Sequence, residues 1–169
     1  MTLSMYQASV PVFLRAFDNL STILDKGAAF AVAKKIDPSV LINARLAPDM
    51  FALARQVQIV SDTTKGCVAR LAGIPIPSFT DTETTFPELK ERIAKTAAFV
   101  KTVSAAQIDG SEGKPINMKV GPTMELSFTG QSYLLTFVLP NLFFHVTAVY
   151  AILRHNGVEV GKADYLGSL

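Results

Sequence analysis

Apolar residues recur along much of this chain at three- and four-residue steps, the spacing that lines side chains along one face of an α-helix. From about Ser4 to Asp25 the stripe is Tyr6, Val10, Phe13, Phe17, Leu20 and Leu24, and Gly27 supplies a C-terminal stop. The segment AAFAVAKKI reads as a further helical turn or two before Asp37-Pro38. A second helix is expected to open at Ala47-Pro48-Asp49, with proline in its first turn, and to run through Met50, Leu53, Val57, Val60, Thr64, Cys67 and Leu71. It ends at Gly73, and the two prolines of GIPIPSF prevent its continuation. A third opens at Thr85 or Phe86-Pro87-Glu88, with Leu89, Ile93, Ala97, Val100 and Val103 as its apolar stripe. Its other face carries Lys90, Glu91, Arg92, Lys95 and Lys101, which read as solvated surface.

The period then changes from helical to alternating. Ile116, Met118 and Val120 alternate with Asn117 and Lys119, and Met124, Leu126 and Phe128 alternate with Glu125 and Ser127. Around a Gly121-Pro122-Thr123 turn this is a two-stranded hairpin with one apolar face, over about 115–129. Such a hairpin is marginal alone and should lie against the helices. The last long helix runs from about Gly130 to Asn156, with Pro140 kinking it or dividing it in two. Four main helices make an antiparallel four-helix bundle the simplest packing, as one domain over 1–169 with a C-terminal tail over about 157–169.

Composition narrows the classes. Apolar residues make up 49% of the 169, and charged ones 18%, which excludes disorder. A net charge of +2 without a basic block excludes the footprint of a nucleic-acid binder. The one cysteine, Cys67, stands in an apolar repeat and reads as a small buried hydrophobe in a reducing compartment. The N-terminal segment lacks the basic start and apolar block of a signal peptide, so a cytoplasmic location is expected. No charge occurs between Glu125 and Arg154, a window long enough to span a membrane. It also holds Gln131, Asn141 and His145, and a helix buried on all sides by protein is the preferred explanation, with a membrane span as the alternative.

His145 is the residue in that run that invites a chemical reading. It and His155 are ten residues apart, which places them roughly 80° apart around a helix and about 15 Å along it, so they cannot share an ion. His155 reads as a helix C-terminal residue favoured by the dipole. Asn141, four residues before His145, forms with it an inward-facing polar pair. No nucleophile–base–acid set, G-x-S-x-G turn or phosphate-cradling glycine loop occurs, so no catalytic residue is assigned.

The segments LPNLFFHVTAVYAILRHNGVEVGKADYLG, PDMFALARQVQIVSDTTKG and FTGQSYLLTFVLPN resemble the bacterial domain-of-unknown-function family numbered 1993, over nearly the whole chain. That family is grouped with the DinB/YfiT-like metalloenzymes, four-helix bundles that are often dimers. The resemblance therefore implies the bundle fold and a homodimer, with no assigned activity. The usual site of the superfamily takes one histidine from the second helix and an H-x-x-x-H pair from the last, around nickel or zinc. On that pattern His145 is the second member of the pair, Asn141 stands where the first would be, and the remaining position falls within a turn of Gln56. One ligand of three remains, and amides are poor partners for these ions beside imidazole, so no metal or other cofactor is expected.

Three readings of His145 follow. It is a core residue bonded to Asn141, a backbone carbonyl or Gln56; or it shares a metal-free ligand pocket with Gln56, Asn141 and Tyr150; or it serves a divalent metal through further carboxylates or a second subunit. The tail brings Lys162, Asp164 and Tyr165 to the end of the last helix, either packed over the bundle mouth or closing a pocket. The corresponding functions are a bundle that binds a small ligand or partner without metal, a metal-dependent transferase or hydrolase of the DinB type, and a non-catalytic dimeric interaction protein.

Overall fold

A computed structural model describes residues 3–121 and 123–168. Four long helices form the bundle: α1 (Val10–Lys34), α3 (Leu53–Ala72), α4 (Phe86–Lys101) and α7 (Leu139–His155). Short helices α2 (Pro38–Ile42), α5 (Ala105–Ile108), α6 (Gly130–Ser132) and α8 (Lys162–Leu166) fill the connections, and β1 (Pro115–Val120) pairs antiparallel with β2 (Met124–Thr129). The α3 helix packs against both α4 and α7, and α1 packs against α4 and α7 from the other side. Their apolar stripes meet in one core in which Phe13, Phe17, Leu20, Val57, Val60, Leu89, Leu142 and Ile152 are buried.

The first helix differs from the sequence expectation at both ends. It begins at Val10, with Pro11 in its first turn, and runs through Gly27 to Lys34. Gly27 is not a stop because it lies at a crossing: a Cβ there would stand 3.1 Å from Leu153 Cδ2 and from the Phe86 ring. The bareness of that position lets α1 approach α4 and α7, and the actual stop is Lys35, held left-handed at φ 55°. The second long helix opens at Leu53 rather than at Pro48. Residues 47–50 instead form a turn, and the Leu53 N–H is satisfied across it by the Ala44 carbonyl. The α4 start is as expected, with the Thr85 hydroxyl accepting from the Glu88 N–H and the Glu88 carboxylate accepting from the Thr85 N–H.

The hairpin register pairs Ile116 with Phe128 and Met118 with Leu126. Ile116 is buried, and Met118 and Phe128 pack on the core. Of the foreseen turn, Pro122 lies outside the described residues, as does the side chain of Val120. Phe128 passes its contact to Tyr133 and Phe137 at ring separations of 5.8 and 5.6 Å.

Residues Gly130–His155 run as one helix, the only one among the described residues long and apolar enough to cross a membrane. Its interruption is not a break at Pro140 but a π-turn, Tyr133–Val138, just before it. Proline has no N–H to return to the carbonyl four residues back and its ring crowds that carbonyl, so the preceding turn widens. The Leu139 N–H accordingly reaches back five residues to the Leu134 carbonyl. Nor is the helix enclosed on every side: only 39% of its most apolar stretch is buried, and Leu135, Phe143 and Phe144 are exposed.

Candidate functional site

The α3 and α7 helices run antiparallel, and two polar contacts bridge them. The Asn141 amide donates to the Thr63 hydroxyl at 2.8 Å. About a turn further along α7, His145 Nδ1 lies 2.5 Å from Gln56 Oε1. The Gln56 side chain is held from its other end, because its Nε2 donates to the Phe51 carbonyl at 2.9 Å. That bond turns the amide oxygen toward the imidazole, so Nδ1 is the donor and carries the proton. The lone pair of the neutral ring is then on Nε2. Gln56 and His145 are both buried. Burial, with the nearby Arg55 cation as the lesser cause, holds the imidazole below its ordinary pKa and keeps it neutral. The Phe144 ring meets His145 edge-on at 5.2 Å between centroids.

Of the partners considered for His145, Gln56 is therefore the one engaged, and Asn141 turns instead to Thr63. Tyr150 does not join them. Five residues beyond His145 it faces another side of α7, where its hydroxyl donates to the Val160 carbonyl at 3.4 Å and its ring meets Tyr165 edge-on. The tail is also elsewhere. Arg15 and Asn19 of α1 donate to the carbonyls of Leu166 and Tyr165, and Asp164 pairs with Lys26 at 2.7 Å. The Lys26 ammonium and the Gly161 N–H hold the Asp164 carboxyl below its ordinary range. Thr147 donates to the Tyr165 hydroxyl, and Lys162 is exposed. Lys162, Asp164 and Tyr165 thus belong to a flap over α1 and the side of α7 that carries Thr147 and Tyr150. Asp164 lines a shallow depression there with Arg15 and Asp18, away from His145.

An apolar groove of about 370 Å³ lies beside the pair, lined by Leu46, Met50, Pro140, Phe143, Phe144 and Thr147. Phe144 belongs both to this groove and to the surroundings of the imidazole, whereas His145 and Asn141 are not in its wall.

A divalent nickel or zinc ion needs several imidazole, thiolate or carboxylate donors converging on one point. Among the described residues, no three His, Cys, Asp or Glu side chains do so. The residues at the three corresponding positions do not fit such an ion: the Asn141 amide is spent on Thr63, and the Gln56 oxygen is taken by the imidazole itself. Cys67 is fully buried, and burial pushes its thiol pKa well up, so it is no thiolate.

The sequence reading missed Arg92. Placed on a solvated face, it is instead 2% exposed and ties the segment after α3 to the bundle. Its guanidinium meets Asp62 of α3 at 2.9 Å, and Asp81 and Glu83 of the connecting segment at 2.9 and 3.0 Å. It also donates to the Thr80 carbonyl and lies over the Phe79 ring. A signal was present in the spacing: Arg92 stands three residues after Leu89 and four before Thr96, both of which are buried.

Among curated proteins none matches this chain. The crystal structure of a DinB family member protein from Shewanella denitrificans is similar to it with a TM-score of 0.88 and 44% sequence identity, covering 97% of this chain and 92% of that one. Residues 5–166 match the family described as Domain of unknown function (DUF1993). With the helical bundle, the small hairpin and that neighbour in agreement, this chain belongs to the DUF1993 family, within the DinB-like superfamily.

Proposed function

We propose that this protein is a DinB-like bundle that works without a metal, binding a small ligand beside His145. The observation that carries the reading is the Gln56–His145 hydrogen bond. It joins two positions that the superfamily's usual site gives to the ion and orients the imidazole with Nε2 as acceptor. A fitting ligand donates one hydrogen bond to Nε2 and lays an apolar body on Phe144 and the groove it lines. Phenol is a suitable probe, having one O–H donor on an aromatic ring. Titrated into ¹⁵N-labelled protein, it is expected to shift the His145 Nε2 resonance, and Phe144→Ala is expected to abolish the shift. An unchanged Nε2 resonance with phenol at high concentration counts against the site.

A second reading is supported by the exposed apolar residues on the same side. Leu46, Phe143 and Phe144 are each more than 40% exposed beside the groove, the two phenylalanines within the run that carries no charge between Glu125 and Arg154. A second copy of this chain is the occupant that suits such a face, giving a homodimer. Phe144→Asp is then expected to shift the mass measured by light scattering from dimer to monomer, and a monomeric wild type would dismiss this reading.

A further inference from the structure

The cluster around Arg92 contains more than is needed to anchor the 74–85 segment. Three of the cations there, Arg55, Lys65 and Arg92, balance three acids, Asp62, Asp81 and Glu83. The Arg92 Nε–H, in a side chain only 1% exposed, donates to nothing among the described residues. A buried guanidinium donor is costly to leave unpaired, and such a group calls for a partner. Arg92 also forms part of the wall of a cavity of about 350 Å³, between α4 and the segment carrying Phe79 and Glu83.

The α4 side of this cavity is a single stripe. Glu88, Glu91, Arg92 and Lys95 stand at the three- and four-residue spacings that share a helix face, and all four line the cavity. Three acids and two bases make the wall, so its formal charge is −3 + 2 = −1. Glu88 uses one oxygen, Oε2, to cap the helix, and Glu91 uses Oε1 on Lys95, which leaves an oxygen of each carboxylate without a partner among the described residues. The aromatic ring of Phe79 forms another part of the wall, beneath two cations already drawn to its face.

We propose that this cavity binds a small primary amine carrying a neutral oxygen acceptor two or three bonds away, the chemistry of an amino-acid amide or an amino alcohol. The ammonium group sits against Glu88 and Glu91, and the oxygen takes the free N–H of Arg92. One positive charge neutralises the wall. A carboxylate in place of the neutral oxygen would approach Arg92 among Asp62, Asp81 and Glu83, three acids that Arg92, Arg55 and Lys65 already balance, so amides and alcohols are preferred over zwitterionic amino acids. The site lies between α4 and the connection that precedes it, apart from the α3–α7 contact that holds His145, and does not depend on the reading of that pair.

The test is a titration of the wild-type protein with glycinamide, glycine and acetamide at pH 7, following the Arg92 Nε–H cross-peak in a ¹⁵N–¹H spectrum. Glycinamide is expected to move the cross-peak with saturation in the millimolar range, glycine to bind roughly tenfold more weakly, and acetamide to have no effect. Glu91→Gln, at an exposed position that should not disturb folding, is expected to weaken glycinamide roughly tenfold. A cross-peak that no amine moves overturns the proposal. Equal binding of glycine and glycinamide, or unchanged affinity in Glu91→Gln, overturns the recognition mode and with it the ligand class.

Discussion

Replacing Arg92 with leucine tests whether the connection between α3 and α4 is bolted to the bundle or merely lies on it. The Arg92 side chain is 1% exposed, and its three carboxylate partners differ in what they lose. Asp62 keeps Lys65 at 2.7 Å, and Asp81 keeps Arg55, so these two, each more than a third exposed, are still paired and hydrated. Glu83 is the one stranded: it is 11% exposed and, among the described residues, retains only the Gln58 amide at 2.9 Å. Removing one partner of a fully buried ion pair costs about 3–5 kcal/mol, and with one of three acids stranded the expected loss is about 2–3 kcal/mol. At this chain length that corresponds to roughly 5–10 °C in Tm. Urea unfolding followed by circular dichroism measures it, with Lys95→Ala on the exposed side of the same helix as a control costing at most about 0.5 kcal/mol. Adding Glu83→Leu to Arg92→Leu should restore part of the loss, because no largely buried carboxylate is then left without its cation. A loss under about 0.5 kcal/mol for Arg92→Leu would refute the reasoning and return the residue to the ordinary solvated surface.

Two further outcomes follow from the packing and the charge states. Gly27→Ala gains about 1 kcal/mol of helix propensity but forces a methyl to within 3.1 Å of Leu153 and Phe86, so a net loss of roughly 1 kcal/mol in urea unfolding is expected, and a gain would contradict the close crossing. His145 is held below its unfolded pKa, so the unfolded chain binds the extra proton first. Its contribution to stability is therefore complete above the unfolded value of about 6.5 and declines as pH falls toward the folded one. Tm should drop between pH 7 and pH 5 in the wild type and drop less in His145→Gln; equal slopes would contradict a buried neutral imidazole.

The long helices were legible because their stripes are broad and regular: Leu53, Val57, Val60, Cys67 and Leu71 are each buried where the spacing places them. Their ends were not, where tertiary contact overrode a local signal. Gly27 looks like a stop in isolation and is a crossing in three dimensions. Pro48 looks like a helix start, but the chain first turns so that Ala44 can accept from Leu53. The Gln56–His145 contact was within reach of the sequence because the family pattern aligns both positions. Arg92 was hidden because a charged residue beside an apolar stripe usually points outward, and its acids lie 9, 11 and 30 residues away in the chain. Tyr150 was misplaced by treating nearness in sequence as nearness on the helix, since five residues turn the helix well past His145.

The central claim is that the Gln56–His145 hydrogen bond stands where a metal would otherwise bind. A long-range ¹⁵N–¹H spectrum of the His145 ring, recorded at pH 7 on tag-free protein before and after stoichiometric zinc and then nickel, tests it most directly. The account predicts a neutral ring protonated at Nδ1, unchanged by zinc and neither shifted nor broadened by nickel. A ring nitrogen that responds to one equivalent of either ion, with binding lost in His145→Ala, would contradict it.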